Sequence, residues 1–171
     1  MERLRGLVRD IPDFPRPGII FRDWMPLLGE IDALRDAVAL LCEPFRGERI
    51  DQVLGIEARG FLLGIPVALE LGAGFVPVRK AGKLPYDTFD VSYELEYGTD
   101  TLEMHVDAVL DSHRILLIDD LLATGGTAAA TVELVRKAGG DVVACAFLIE
   151  LDGLGARDRL GVERVHSLMQ Y

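Results

Sequence analysis

Two adjacent carboxylates, Asp119 and Asp120, are separated by two leucines from a run of small residues: Ala123, Thr124, Gly125, Gly126 and Thr127. A turn without bulky side chains lets backbone N–H groups close around a phosphate, and the helix that follows adds its dipole. The hydroxyls of Thr124 and Thr127 can donate as well. Carboxylates only accept, so the acidic pair cannot favour phosphate; it suits sugar hydroxyls or the shell of a magnesium ion. One small molecule with a phosphate and a bare diol would satisfy both halves, which describes a ribose 5-phosphate. The plainer alternative is an ordinary strand-to-helix turn with fortuitous glycines. Two neighbouring carboxylates at a strand end count against it, because they cost stability unless something uses them. No lysine follows the glycines, which disfavours a P-loop nucleotidase.

Other groups with chemical potential lie upstream. Glu57, Ala58, Arg59, Gly60 and Phe61 place an arginine on a glycine-containing turn, a natural pyrophosphate contact. Arg79, Lys80 and Lys83 form the one basic cluster in an acidic chain. By itself either feature reads as solvated surface; beside a phosphate turn, both read as counter-charge. His105, His113 and His166 bear no relation to one another, and none is expected to be a catalyst.

The elements that must position these groups follow from hydrophobic period. Residues 115–118 are an unbroken apolar run, short enough for a strand buried on both faces of a parallel sheet. Residues 128–137 have helical spacing, so the acidic pair falls at the carboxyl end of a strand, where open α/β sheets bind ligands. A second strand–turn–helix unit runs from 52–56 through the Arg59 turn to Leu71, and a strand at 74–79 leads to the basic cluster. Residues 31–45 predict an amphipathic helix with Leu34, Val38, Leu41 and Phe45 on its stripe. A short helix is expected over 2–9, ended by Ile11 and Pro12, and residues 13–23 read as a stiff, proline-rich extended segment. Residues 84–90 predict a mobile loop. Strands at 91–97 and 101–106 around a turn at 98–100 predict an inserted hairpin, a candidate lid. Its alternation sets Tyr93, Leu95 and Tyr97 on one face and Glu94 and Glu96 on the other. A strand at 141–151, a helical piece at 153–160 and a strand at 165–171 complete an α/β doubly wound parallel sheet flanked by helices.

At 171 residues the chain predicts a single domain, 1–171, with a small hood over about 1–30 and a lid over about 84–106. A net charge of −10 argues against general nucleic-acid binding, which needs a basic face. The first ten residues carry charges throughout, so no signal peptide is expected, and no apolar run approaches the roughly 20 residues of a membrane span. Cys42 and Cys145 sit in apolar segments without metal-ligand spacing and predict reduced core thiols in a cytoplasmic protein.

The 115–127 stretch resembles the phosphoribosyl-pyrophosphate (PRPP) signature of the type I phosphoribosyltransferases. Segments 19–22, 57–61, 79–85, 96–98, 119–127 and 167–171 recur in order at family-like spacing, which extends the resemblance over nearly the whole chain. It implies that Asp119 and Asp120 hold the ribose hydroxyls and that Ala123, Thr124, Gly125, Gly126 and Thr127 hold the 5-phosphate. It also implies a pyrophosphate set of Glu57, Ala58, Arg59, Arg79 and Lys83, with a cis peptide between Glu57 and Ala58. The 13–23 segment is similar to the base-binding loop of the adenine-using branch of the family. There Phe21 would stack on the purine, with Leu121 on its other side and the backbone of Ile20 and Arg22 reading its edge. Trp24 and Met25 depart from that pattern, which has a smaller aliphatic and a hydroxyl residue. Glu96 would handle a proton near the purine, Tyr97 would lie beside it, and Arg59 and Lys83 would assist the leaving group. The implied reaction is purine salvage, adenine plus PRPP giving AMP plus pyrophosphate, with magnesium, in a homodimer. No nucleic acid or membrane partner is expected. Two alternatives stay open: a phosphoribosyltransferase for another base, and a non-catalytic PRPP-sensing regulator on the same fold.

Overall fold

The computed structural model describes residues 1–94 and 98–171, so Leu95, Glu96 and Tyr97 lie outside it. In chain order the elements are α1 (Glu2–Gly6), β1 (Arg9–Pro12), β2 (Ile20–Asp23), α2 (Met25–Leu28) and α3 (Ile31–Cys42), which passes into one 3-10 turn (Glu43–Phe45). Then come β3 (Gln52–Ile56), α4 (Arg59–Leu71), β4 (Gly74–Lys80), β5 (Thr88–Glu94), β6 (Thr99–His105) and β7 (Arg114–Leu122). The chain finishes with α5 (Gly126–Lys137), β8 (Asp141–Glu150), α6 (Ala156–Leu160) and β9 (Val165–Gln170).

Seven strands form one sheet in the order β5-β6-β4-β3-β7-β8-β9. The five strands from β4 to β9 in that order are parallel, and β6 and β5 continue the sheet antiparallel. This is the expected doubly wound α/β fold. From β3 the chain winds outward to β4 on one side, and from β7 outward to β8 on the other. The crevice between the carboxyl ends of β3 and β7 is therefore the topological switch point, where such sheets bind ligands.

Alternation along β7 divides the core. Leu116 and Ile118 face α3 and α4 with Leu41, Val53 and Leu63. Ile115 and Leu117 face α5 with Leu54, Val78, Val132 and Phe147. All four β7 side chains are fully buried, as an unbroken apolar run in a central strand requires. Phe75 of β4 fills a groove made by two glycines: a Cβ at Gly55 or Gly64 would come within 2.8 or 2.6 Å of its ring. Burial pushes the Cys42 thiol up to about 11 and Cys145 to about 12, so both are inert core groups. His166 bonds the Leu40 carbonyl at 3.3 Å and stands edge-on to Phe45, a structural role.

Several expectations are corrected. The first helix stops at Gly6, and Arg9–Pro12, expected to continue or end it, is a strand paired antiparallel with β2. An ion pair from Arg9 to Asp23 fastens that small sheet, a partner that local pattern does not reveal. The buried face of α3 is rotated towards Ala33, Ala37 and Leu41, which leaves Leu34 half-buried. Helix α5 begins two residues early, at Gly126, because Gly125 takes a left-handed φ of 80° and turns the chain at once. The hairpin lies between β4 and β7 in the chain as expected, but it starts at Thr88, inside the segment expected as a loop, and pairs through β6 with β4 as the edge of the main sheet. Val91, Leu102 and Met104 are buried, with Phe89 and Tyr93 packed against the same cluster as α5.

Candidate active site

The carboxyl ends of β3, β4 and β7 meet the glycine turn around a cavity of about 340 Å³. Its walls include Glu57, Arg59, Lys80, Tyr93, Asp100, Asp119, Asp120 and every residue from 121 to 128. Strand β7 delivers both carboxylates to the floor. Asp119 is half-buried and Asp120 is 4% exposed. The Asp120 amide donates to Asp119 Oδ1 at 2.9 Å. Asp120 Oδ2 accepts the Trp24 indole N–H at 2.7 Å and lies 2.9 Å from Arg59 Nε. Burial, and then the charge of Asp120, push the Asp119 carboxyl well above the usual carboxylate range. Such a group seeks a counter-charge or a hydroxyl donor at this place.

The turn after β7 is shaped for an anion. At Gly125 a Cβ would meet the Ala156 carbonyl at 2.8 Å, and its φ of 80° also favours glycine. At Gly126 nothing lies within 3.8 Å of the corresponding point, so the approach to the start of α5 is open. Among the described residues no side chain caps α5, which leaves its first N–H groups for a ligand. The Thr127 hydroxyl donates to the Tyr93 hydroxyl at 3.3 Å, tying the turn to β5.

On the opposite wall the Glu57–Ala58 peptide is cis, as the resemblance implies. Glu57 Oε2 accepts from Arg79 Nε and from the Lys80 amide, both at 3.1 Å, and Arg79 also donates to the Lys83 carbonyl at 3.1 Å. The charge of Arg79 is thus spent on Glu57, and the Lys83 side chain is exposed; neither lines the cavity. Lys80 does. It pairs with Asp100 Oδ2 at 3.0 Å, and that hydrogen bond holds its ammonium above the usual lysine range. Sequence reasoning placed Lys80 in the basic cluster, Tyr93 on a hairpin face and Trp24 beside the base loop, but gave none of them a place in this cavity, and it missed Asp100. Alternation from buried Val78 would have turned Lys80, and not Arg79, into the crevice.

A second cavity, of about 320 Å³, adjoins the first and shares Leu121, Ala123 and Thr124 with it. Ile19, Ile20, Phe21, Arg22, Leu151 and Leu154 complete its mainly apolar wall. Phe21 is braced edge-on by Phe14 at 5.2 Å, and the Arg59 guanidinium stands 5.3 Å over its ring. The Arg22 side chain turns away, pairing with Asp10 and stacking 4.3 Å over the Tyr171 ring, so it fastens the hood to β9. Of the anticipated residues, the structure brings together Glu57, Arg59, Asp119, Asp120 and the 121–127 turn in one cavity, with Ile20, Phe21 and Arg22 around the other. Glu96 and Tyr97 lie outside the described residues. The described end of β5 reaches the glycine turn, with the Glu94 carbonyl 3.8 Å from a Cβ built on Gly126.

A polar crevice for an anionic sugar next to a flat apolar slot can hold two substrates side by side. Comparison with known proteins agrees with that layout. The phosphoribosyl transferase domain family matches residues 30–166. The chain is 56% identical to the adenine phosphoribosyltransferase of Methylococcus capsulatus over the whole of both chains. It superposes on the crystal structure of adenine phosphoribosyltransferase from Rhodothermus marinus with a TM-score of 0.94 and 56% identity, over 99% of this chain and 97% of that one. The Saccharomyces cerevisiae adenine phosphoribosyltransferase, solved with an imino-altritol bisphosphate and adenine, gives a TM-score of 0.90 at 41% identity, over 96% and 95% of the two chains.

Proposed function

The chain belongs to the phosphoribosyltransferase family, and from that membership we propose that it transfers the phosphoribosyl group of PRPP to adenine, giving AMP and pyrophosphate. The observation that carries this reading is the junction of the two cavities at Leu121, Ala123 and Thr124. A ribose held by the acidic pair and the turn would present C1 to a base lying between Phe21 and Leu121.

The C1–O bond to pyrophosphate breaks, the C1–N9 bond forms, and the N9 proton leaves. The transition state separates a departing polyanion from an oxocarbenium-like sugar, so preorganised charge on both sides is what the protein must supply. Arg59 and Lys80 face the cavity and suit the leaving group; Glu57 and Arg79 shape the loop carrying Lys83 at its rim. Asp119 and Asp120 suit the ribose hydroxyls, and their negative charge complements a cationic sugar. Two adjacent carboxylates also fit a magnesium ion, which when bound would add positive charge at the pyrophosphate. Glu96 is assigned a hydrogen bond to purine N7 and Tyr97 a place beside it, on the strength of the resemblance. A lid over about 84–106, as the sequence leads one to expect, would exclude the water that otherwise hydrolyses PRPP.

A homodimer is supported by an apolar surface on α3 and α4, where Ile31, Leu62, Ile65 and Leu69 are exposed. A cytoplasmic location is supported by the two free, buried cysteines. The test is a base panel with PRPP and magnesium. AMP should form faster than any other nucleotide. Equal or faster turnover of hypoxanthine or guanine would refute the adenine assignment, and no nucleotide from any base would favour a PRPP-sensing regulator.

A further inference from the structure

Asp120 has one oxygen engaged twice, by a hydrogen bond and by an ion pair. The Trp24 indole N–H and the Arg59 Nε both reach Oδ2, at 2.7 and 2.9 Å, so neither occupies the second carboxylate oxygen. Trp24 is 1% exposed and Asp120 4%, and the contact joins residues 96 apart in the chain. Trp24 directly follows β2, the strand that carries Phe21, and Arg59 stacks over Phe21 in turn. These three contacts, with the backbone from Phe21 to Trp24, link the base slot to the ribose floor.

A buried indole must place its N–H somewhere, so packing alone could account for Trp24. The choice of acceptor is what matters: among the groups within reach of the core, it meets a carboxylate on the cavity wall. A carboxylate on a single χ2 torsion can otherwise rotate freely between its two oxygens. We propose that Trp24 is a positioning residue for PRPP: by holding Asp120 Oδ2, it fixes the carboxylate plane so that the other oxygen meets a ribose hydroxyl. The inference rests on the transferase reading for the identity of the sugar ligand.

The experiment measures PRPP binding by calorimetry with magnesium and no base, in the wild type, Trp24→Phe and Trp24→Leu. Phe keeps most of the ring volume and loses the donor; Leu loses the donor and leaves a larger void. Hydrogen bonds to charged groups are worth enough to predict roughly a tenfold loss of PRPP affinity or more in both variants. Adenine affinity should stay within about twofold, and only Trp24→Leu should melt markedly lower. Kinetically the loss should fall on KM for PRPP, with KM for adenine little changed. A folded Trp24→Phe that binds PRPP like the wild type would overturn the inference. So would PRPP and adenine affinities that fall together in step with melting temperature, which is the signature of a merely structural residue. Nucleotide formation by the wild type is scored separately, so failure of the transferase reading and failure of the Trp24 inference register in different measurements.

Discussion

Gly60 offers a perturbation whose size can be worked from distances. It is the second residue of α4 and lies against the end of β7. A methyl added there would stand 2.8 Å from Asp119 Oδ1, 3.0 Å from the Ile118 carbonyl oxygen and 3.4 Å from Asp119 Cα. The carboxylate can swing aside; the strand backbone, hydrogen-bonded within the sheet, cannot. The first turn of α4 must lift by a few tenths of an ångström, carrying Arg59 with it. Overpacking of this kind costs about 1–3 kcal/mol, and the helical preference for Ala over Gly offsets about 0.5–1 kcal/mol. A net loss of about 1 kcal/mol corresponds to about 2–4 °C in Tm for a chain of this length. Catalysis should suffer more. An ångström of misplacement costs roughly 10²-fold, so about half that displacement, at both Asp119 and Arg59, predicts roughly a tenfold fall in kcat/KM for PRPP. Gly64→Ala is the matched control, because its methyl would meet the Phe75 ring at 2.6 Å, one turn further along the same helix and away from the cavity. Steady-state kinetics with PRPP varied at saturating adenine, beside thermal melts, decides the matter. If Gly60→Ala lost no more kcat/KM than Gly64→Ala, the close approach of α4 to Asp119 would have no part in holding the site.

Glu96→Gln should lose roughly 10²-fold or more in single-turnover chemistry with adenine binding little changed, because Gln keeps a donor but cannot exchange a proton. Glu94→Gln, at the exposed end of β5, should be near normal, and an equal loss in both variants would reduce Glu96 to a structural contact. Buried Glu150 is held below the usual carboxylate range by Arg157, which donates to both of its oxygens. A depressed carboxylate contributes stability above its ordinary pKa and loses it as pH falls through the folded value. Arg157→Leu should therefore destabilise the fold by about 1–3 kcal/mol at neutral pH. The gap from wild type should narrow on acidification, and a pH-independent gap in melting temperature would contradict the assignment.

Much of what is contiguous in the chain was legible in it. The acidic pair, the glycine turn and the strands and helices around residues 52–71 and 115–137 depend on period and local backbone chemistry, so their order and type read correctly, although the strand expected at 115–118 runs on through the acidic pair to Leu122. Resemblance extended this to the cis Glu57–Ala58 peptide. What the sequence did not disclose is which distant side chains share a charge. Arg79 and Lys83 stand in a basic run, but only the register of β4 against β3 and β6 shows Arg79 drawn to Glu57 and Lys80 to Asp100. Arg9–Pro12 becomes a strand because β2 arrives to pair with it, and its own residues carry no such instruction. Trp24 stands out in the sequence only as a departure from the base-loop pattern, and its partner Asp120 appears only when packing brings the end of β2 under the end of β7. Local structure comes from steric preferences within a few residues, whereas these pairings come from closing loops of many residues. The free energy that selects them, burial of both faces of the sheet, belongs to the assembled core and to no segment of it.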